Sequence, residues 1–180
     1  EFTEYKANRA ETPPELLEQI PLVRRLLEAM RIPVLEYERY EADDVIGTLA
    51  VRAREAGMEA VIVSSDKDML QLVGGGVTML NPAKEDATYD RDGVKEFMGV
   101  WPEQVADFLA LVGDSVDNIP GVAGIGKKGA ADLLAKYGSI DGLLAHLDEL
   151  KPKQRQGIED GRETLAMSRR LATIATDVPV

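Results

Sequence analysis

The sequence predicts a mixed α/β fold, with a small and mostly parallel sheet in the first half and a helical module in the second. Two patterns carry this expectation. Up to about Asp92, short runs of β-branched and apolar residues alternate with segments of helical period, the order that builds strand–helix–strand units. Beyond Asp92 the strand-like runs stop, and helical segments punctuated by Gly and Pro follow one another. With 180 residues and a hydrophobic content of 44%, the chain can bury one core with an appended module. The expected division is 1–92 for the sheet-containing part and 93–180 for the helical part.

The elements read in order as follows. Residues 1–12 are polar and read as a loop or marginal helix. Residues 13–30 read as an amphipathic helix, with Pro14 in the first turn and Leu16, Leu17, Ile20, Val23, Leu26 and Leu27 at helical spacing. Pro21 interrupts that run and predicts a kink. A short strand is expected at 32–35, a helix at 43–55 stopped by Gly57, and the clearest strand at 59–64, EAVIVS. A short helix at 69–73 and a strand at 77–80 complete the first part. Helices are then expected at 94–98, 103–112, 128–137, 140–147, 153–158 and 163–174.

Composition excludes some chemistries. Without cysteine there is no disulfide framework and no thiolate metal site, which suits a reducing compartment. No apolar run is long enough to cross a bilayer, and no signal peptide is visible. A chain that opens on Glu1 instead of Met reads as a processed or cut piece. The formal net charge of −11 argues against binding phosphates through a uniformly basic surface. It leaves open a protein whose acids gather around bound cations, since such ions reverse the local sign.

The acids form three clusters: Glu41, Asp43 and Asp44 in YEADDV; Asp66 and Asp68 in SSDKDM; Asp114 and Asp117 in GDSVDN. The first two follow expected strands. In an open parallel sheet, sites form beyond the carboxyl ends of strands, so both clusters would share one edge. Asp114 and Asp117, three apart, would share a helix face. Each cluster alone also fits helix capping or a turn. Gathered together, the carboxylates repel one another unless hard divalent ions lie between them. Two such ions could activate a water and stabilise the leaving oxygen of a phosphodiester.

The stretch 119–137, IPGVAGIGKKGAADLLAKY, adds a second signal. Gly121, Gly124 and Gly126 permit a tight turn, and a helix with Lys127 and Lys128 follows at once. Its free N–H groups would favour a phosphate, as in a helix–hairpin–helix that holds duplex backbone without reading sequence. An ordinary Gly-rich turn fits the same residues. A dinucleotide loop fits less well, because no strand precedes it.

Together, YKANR at 5–9, YEADDV at 40–45, SSDKDMLQL at 64–72 and GDSVDNIPGVAGIG at 113–126 resemble the 5′ nuclease (flap endonuclease) family. Within it they are most similar to the 5′→3′ exonuclease domains of bacterial type I DNA polymerases. The resemblance implies a PIN-like α/β core with an arch remnant in 1–92 and a helix–hairpin–helix module in 93–180. It implies metal binding by Glu41, Asp43, Asp44, Asp66, Asp68, Asp114 and Asp117, with two ions of Mg²⁺ or Mn²⁺. It gives Lys6 and Arg9 a catalytic role on the arch that grips the scissile phosphate. Gly121, Gly124, Gly126, Lys127 and Lys128 would hold DNA, with a K⁺ ion at the hairpin. The implied substrate is DNA with a 5′ flap, nick or gap, cut during replication and repair. The implied setting is the bacterial cytoplasm, near the nucleoid, as a monomer or fused to a polymerase domain.

Two departures from the family matter. Its first strand and two further metal-binding Asp residues would lie before Glu1, so this chain is expected to bind metal poorly and cut weakly or not at all. Full activity of this chain on a 5′-flap duplex with Mg²⁺ would overturn that. Gly129 stands where the family usually has Thr, which removes one hydroxyl contact to phosphate. Two rival readings remain: a DNA-binding module without turnover, and a PIN-type ribonuclease. The Gly hairpin suits duplex DNA better than single-stranded RNA. Trp101 and Phe108 read as packing residues, Tyr5 as packing or base stacking, and His146 has no partner pattern. Arg170 and the other late basic residues read equally as a DNA-facing surface or an exposed helical face.

Overall fold

A computed structural model describes residues 5–7 and 10–180 of the chain. Helix α1, Pro14–Ala29, starts on a proline and runs through Pro21 without breaking. None of its residues is buried, and its apolar stripe, with Leu16, Leu17, Ile20 and Val23, is exposed. The strand expected at 32–35 does not form. Ile32, Val34 and Leu35 are exposed there, and Pro33 offers no ladder N–H. The β-branched composition was a real signal, but no partner strand lies beside it among the described residues.

Helix α2, Ala42–Glu55, begins at Glu41, whose backbone N–H donates to the Asp44 carboxylate at 3.2 Å. This contact satisfies a backbone donor just outside the first turn. Arg52 and Arg54 complement the dipole at the other end. Its buried face carries Val45, Gly47, Thr48 and Ala50. The last residues of the chain cross this face. Ala175 N–H donates to Asp44 Oδ1 at 2.9 Å, and Val178 N–H donates to Thr48 Oγ1 at 3.1 Å. A Cβ on Gly47 would lie 2.7 Å from the Ile174 side chain, so glycine permits the crossing.

Strand β1, Ala60–Val63, pairs parallel with β2, Val77–Asn81, in the register Ala60 to Val77. The sheet is completed by β3, Ala87–Tyr89, which pairs antiparallel with β2. The expected parallel pairing is present, and the antiparallel edge is an addition. β3 was hidden because its three residues sit inside the polar run NPAKEDATYD. On β2, Val77, Met79 and Asn81 face the core. The 3-10 turn Lys67–Leu72 leaves the end of β1 and buries Met69, Leu70 and Leu72.

The helical half comprises α3 (Arg91–Met98), α4 (Val105–Val112), α5 (Lys127–Tyr137), α6 (Ile140–Leu144), α7 (Pro152–Asp160) and α8 (Arg162–Ala172). Three expected helices are trimmed: Pro102–Gln104 is a 3-10 turn before α4, α6 stops at Leu144, and α8 stops at Ala172. α4 is the centre of this half, with Val105, Phe108, Leu109, Ala110 and Leu111 buried against α5 and α8. Asp107 is buried there too. It accepts from Ile140 N–H at 2.8 Å and from Arg169 Nε at 2.7 Å, so a buried charge is both paired and hydrogen-bonded. Arg169 also reaches Asp141 at 2.9 Å. Gln104 Nε2 donates to the carbonyls of Leu134 and Gly138 at 3.0 and 2.8 Å, satisfying the last turn of α5.

Candidate active site

Three separate chain segments deliver the acids. The N-terminus of α2 carries Glu41, Asp43 and Asp44. The exit of β1 carries Asp66 and Asp68, with Asp66 Oδ1 accepting from Asp68 N–H at 3.0 Å as the cap of the 3-10 turn. The third segment leaves α4 at Gly113. Asp114 and Asp117 do not share a helix, as the spacing predicted. They lie on a turn closed by a bridge from Asp114 to Ile119, with bonds of 2.8 and 2.7 Å. The turn forms because Gly113 takes φ +82° and Asn118 φ +55°, which no continuing helix could accommodate.

These segments line three adjoining clefts. One of 260 Å³ holds Tyr5, Glu41, Asp43, Asp44, Asp68, Asp117 and Arg170 in its walls. One of 430 Å³ is formed by Lys6, Glu41, Ala42, Asp43 and Asp66. The third, of 390 Å³, begins at Asp66, Lys67, Asp114 and Asp117. The first two share Glu41 and Asp43, the last two share Asp66, and Asp117 joins the first to the third. All seven acids named from the sequence therefore border one continuous groove.

Their local chemistry differs. Asp44 uses both oxygens on backbone N–H groups, of Glu41 and Ala175, and is a structural tie as much as a site residue. Asp114 is buried; burial pushes its pKa up, but the Lys67 ammonium and backbone N–H groups more than offset this and hold it low. Lys67 Nζ is ion-paired to Asp114 and lies 3.6 Å from Asp68 Oδ1. Lys6 is ion-paired to Glu41, and its N–H donates to the Asp117 carbonyl at 3.0 Å. Arg9 lies outside the described residues. Asp43 is raised by burial first, then by Asp66 and Glu41.

Asp68 is the outlier. Its Oδ1 is buried without a hydrogen-bond partner, and its pKa is raised to about 6, by burial first and then by Asp66, Asp114 and Asp117 against the relief given by Lys67. A buried carboxylate oxygen with no donor, among other carboxylates, fits a hard cation with oxygen ligands. Among the described residues, however, no three acids converge tightly enough to enclose an ion by themselves. The shift has a consequence for stability. A carboxyl bound more tightly to its proton when folded stabilises the fold at low pH, and that stability falls as pH rises from about 4 to about 6. Asp68→Asn is therefore expected to flatten the fall in melting temperature between pH 4 and pH 6.5. An unchanged slope would show that Asp68 is not its source.

The hairpin forms as the glycines predicted. Gly124 takes φ +84°, with the Lys153 stem 3.4 Å from where its Cβ would stand. Gly126 precedes α5 with no capping side chain, and Lys127 and Lys128 are exposed beside those free N–H groups. Ser168 Oγ donates to the Pro120 carbonyl at 2.6 Å and ties α8 to the hairpin. Gly121 does something else: its backbone crosses that of Gly113. Gly129 has room for a side chain, the nearest atom to a Cβ being Gln154 Nε2 at 3.8 Å. Sequence reasoning missed Lys67, although it stands between the two acids of SSDKDM, and left Arg170 undecided.

A small α/β sheet edge joined to a helical hairpin, with an acid-lined groove between, defines a class of fold that known proteins share. The T5 5′-exonuclease solved with zinc matches with a TM-score of 0.81 at 24% identity, over 97% of this chain and 69% of that one. The T5 D15 flap endonuclease solved with DNA and metal ions matches with a TM-score of 0.80 at 24% identity, over 97% and 68%. Residues 1–99 match the 5′-3′ exonuclease N-terminal resolvase-like domain, and residues 100–180 match the 5′-3′ exonuclease C-terminal SAM fold. The chain belongs to the 5′-3′ exonuclease family. It is 47% identical to DNA polymerase I of Bacillus caldotenax over 99% of its length, and spans 21% of that relative. No helix among the described residues is long and apolar enough to cross a membrane.

Proposed function

We propose that the chain is the 5′ nuclease part of a DNA-processing enzyme, hydrolysing phosphodiesters at 5′ flaps, nicks or gaps during replication and repair. The observation that carries this reading is the convergence of three acid-bearing segments on adjoining clefts, with Asp68 Oδ1 buried and without a hydrogen bond. The family and the T5 enzyme crystallised with DNA and metal ions support it. Asp66, Asp68, Asp114 and Asp117, with Glu41 and Asp43, would hold two divalent ions, Mg²⁺ or Mn²⁺. Such ions supply a Lewis acid and a water of lowered pKa. Lys6 and Arg9 neutralise the scissile phosphate and orient it toward the acids. The hairpin from Gly121 to Gly126, with Lys127 and Lys128, grips duplex backbone at the N-terminus of α5, with a K⁺ ion at its turn. Residues 1–92, with Asp114 and Asp117 reaching in from the second part, thus carry the chemistry, and the rest of 93–180 carries the duplex. The protein acts in the bacterial cytoplasm as a monomer, with a polymerase on the same chain.

One observation favours a second reading. Lys6 and Lys67 already pair with Glu41 and Asp114, so the groove is partly neutralised without metal. A DNA-binding module without turnover would look the same there. The two separate in one experiment on the full-length protein: single-turnover cleavage of a 5′-flap duplex, of single-stranded DNA and of single-stranded RNA, with and without Mn²⁺. The proposal expects Mn²⁺-dependent cutting at the flap junction. Binding of the flap duplex without cutting selects the second reading, and preference for RNA overturns both.

A further inference from the structure

Past the acids, the 390 Å³ cleft changes character. Its other wall is Leu70, Met79, Tyr89, Phe97 and Val116, with Asn81 and Lys84. Phe97 is 45% exposed and Val116 65% exposed, and both border this half-open cleft. The Phe97 ring is held from two sides, by Tyr89 with centroids 5.1 Å apart and by Lys84 Nζ 4.0 Å from its centroid. Asn81 is only 6% exposed. Its Oδ1 accepts from Ala83 N–H at 3.0 Å, which orients the carboxamide and leaves the NH₂ half without a protein partner. Among the described residues only Asp68 Oδ1 is both sealed from solvent and without a hydrogen bond, so the Asn81 NH₂ is open to solvent and to an acceptor in the cleft.

We propose that this end of the cleft receives the nucleobase of the nucleotide flanking the scissile phosphate. Phe97 is the stacking platform and the Asn81 NH₂ is the donor to a base acceptor. The inference rests on the nuclease reading above. The chemistry of the two ends is that of a nucleotide: acids where a metal-bound phosphate would lie, and an aromatic wall at the other end of the same cleft. The cleft volume falls in the range of sites that enclose small ligands. Stacking tolerates any base, and every base offers an acceptor edge, so the cleft selects for the presence of a base and little for its identity. Lys84, whose Nζ lies over the ring without the substrate, would give up that face to the base and swing to the neighbouring backbone.

The test uses the full-length protein and a 5′-flap duplex with 2-aminopurine at the flanking position, in Ca²⁺ for binding and Mn²⁺ for cutting. Wild type should quench the fluorophore, and Phe97→Ala, at a half-exposed position and with its fold checked by an unchanged urea midpoint, should not. Single-turnover cleavage should fall about tenfold in Phe97→Ala, as expected from the loss of one stacked base. Wild type should lose the same factor on a flap with an abasic site there, and Phe97→Ala should lose nothing more. Cleavage of both flaps by Phe97→Ala at wild-type rates, or equal quenching by both proteins, overturns the cleft while leaving the nuclease reading standing. If neither protein cuts any duplex, the nuclease reading falls. In that case a quench abolished by Phe97→Ala still sustains a base-binding cleft, and its absence overturns it.

Discussion

Asp114→Asn is expected to lower single-turnover flap cleavage by the full-length protein about 100-fold or more, in line with removal of one preorganised charge from a reacting centre. The substitution is chosen to spare the fold. Asp114 Oδ1 accepts from Val116 N–H at 2.8 Å, and an Asn carbonyl can keep that bond. What disappears is the charge that Lys67 pairs with and that a divalent ion would need. Mn²⁺ affinity, followed by calorimetry, should fall about tenfold. A turn residue without a site role would tolerate this near-isosteric change, so wild-type cleavage by Asp114→Asn would remove Asp114 from the site.

Gly121→Ala is expected to cost roughly 3 kcal/mol of stability, because the clash is with backbone. A Cβ on Gly121 would lie 2.3 Å from the Val112 carbonyl oxygen and 2.7 Å from Gly113 N. Facing it, a Cβ on Gly113 would lie 2.6 Å from Gly121 N. Here two stretches of main chain touch, and Val122 N–H donates to the Leu111 carbonyl at 2.8 Å beside them. This crossing holds the turn that carries Asp114 and Asp117. Urea unfolding should show a lower midpoint with an unchanged slope. An unfolding free energy within about 0.5 kcal/mol of wild type would mean that the turn can open without loss.

The two expectations touch the same few residues from opposite sides, and they show how legible the site was. The seven acids, the hairpin glycines and the two lysines after them were readable from local rules, because capping, turns and phosphate-binding N-termini are set by residues close in sequence. β1, β2 and most helices were readable for the same reason. The strand expected at 32–35 was not, since a strand exists only with a neighbour, and its neighbour is not a local property. β3 was missed from the other side: three polar-flanked residues become a strand because β2 lies beside them. Asp114 and Asp117 were placed on a helix by spacing alone. The left-handed turn from Gly113 to Asn118 depends on the crossing with Gly121, eight positions after Gly113.

The sequence by itself determined where the candidate acids, glycines and lysines stand and in which motifs, because each motif is a contiguous run of a few residues. It also determined the family, through motifs specific enough in combination. Only the tertiary structure decided what each acid does. Asp44 is bound to the chain's last segment, Asp114 is paired with Lys67, and Asp68 is left with a buried oxygen that accepts no hydrogen bond. The physical reason is that a carboxylate's state depends on burial and on donors brought from distant positions. Lys67 lies 47 residues from Asp114 and Ala175 lies 131 from Asp44, separations that no local pattern encodes.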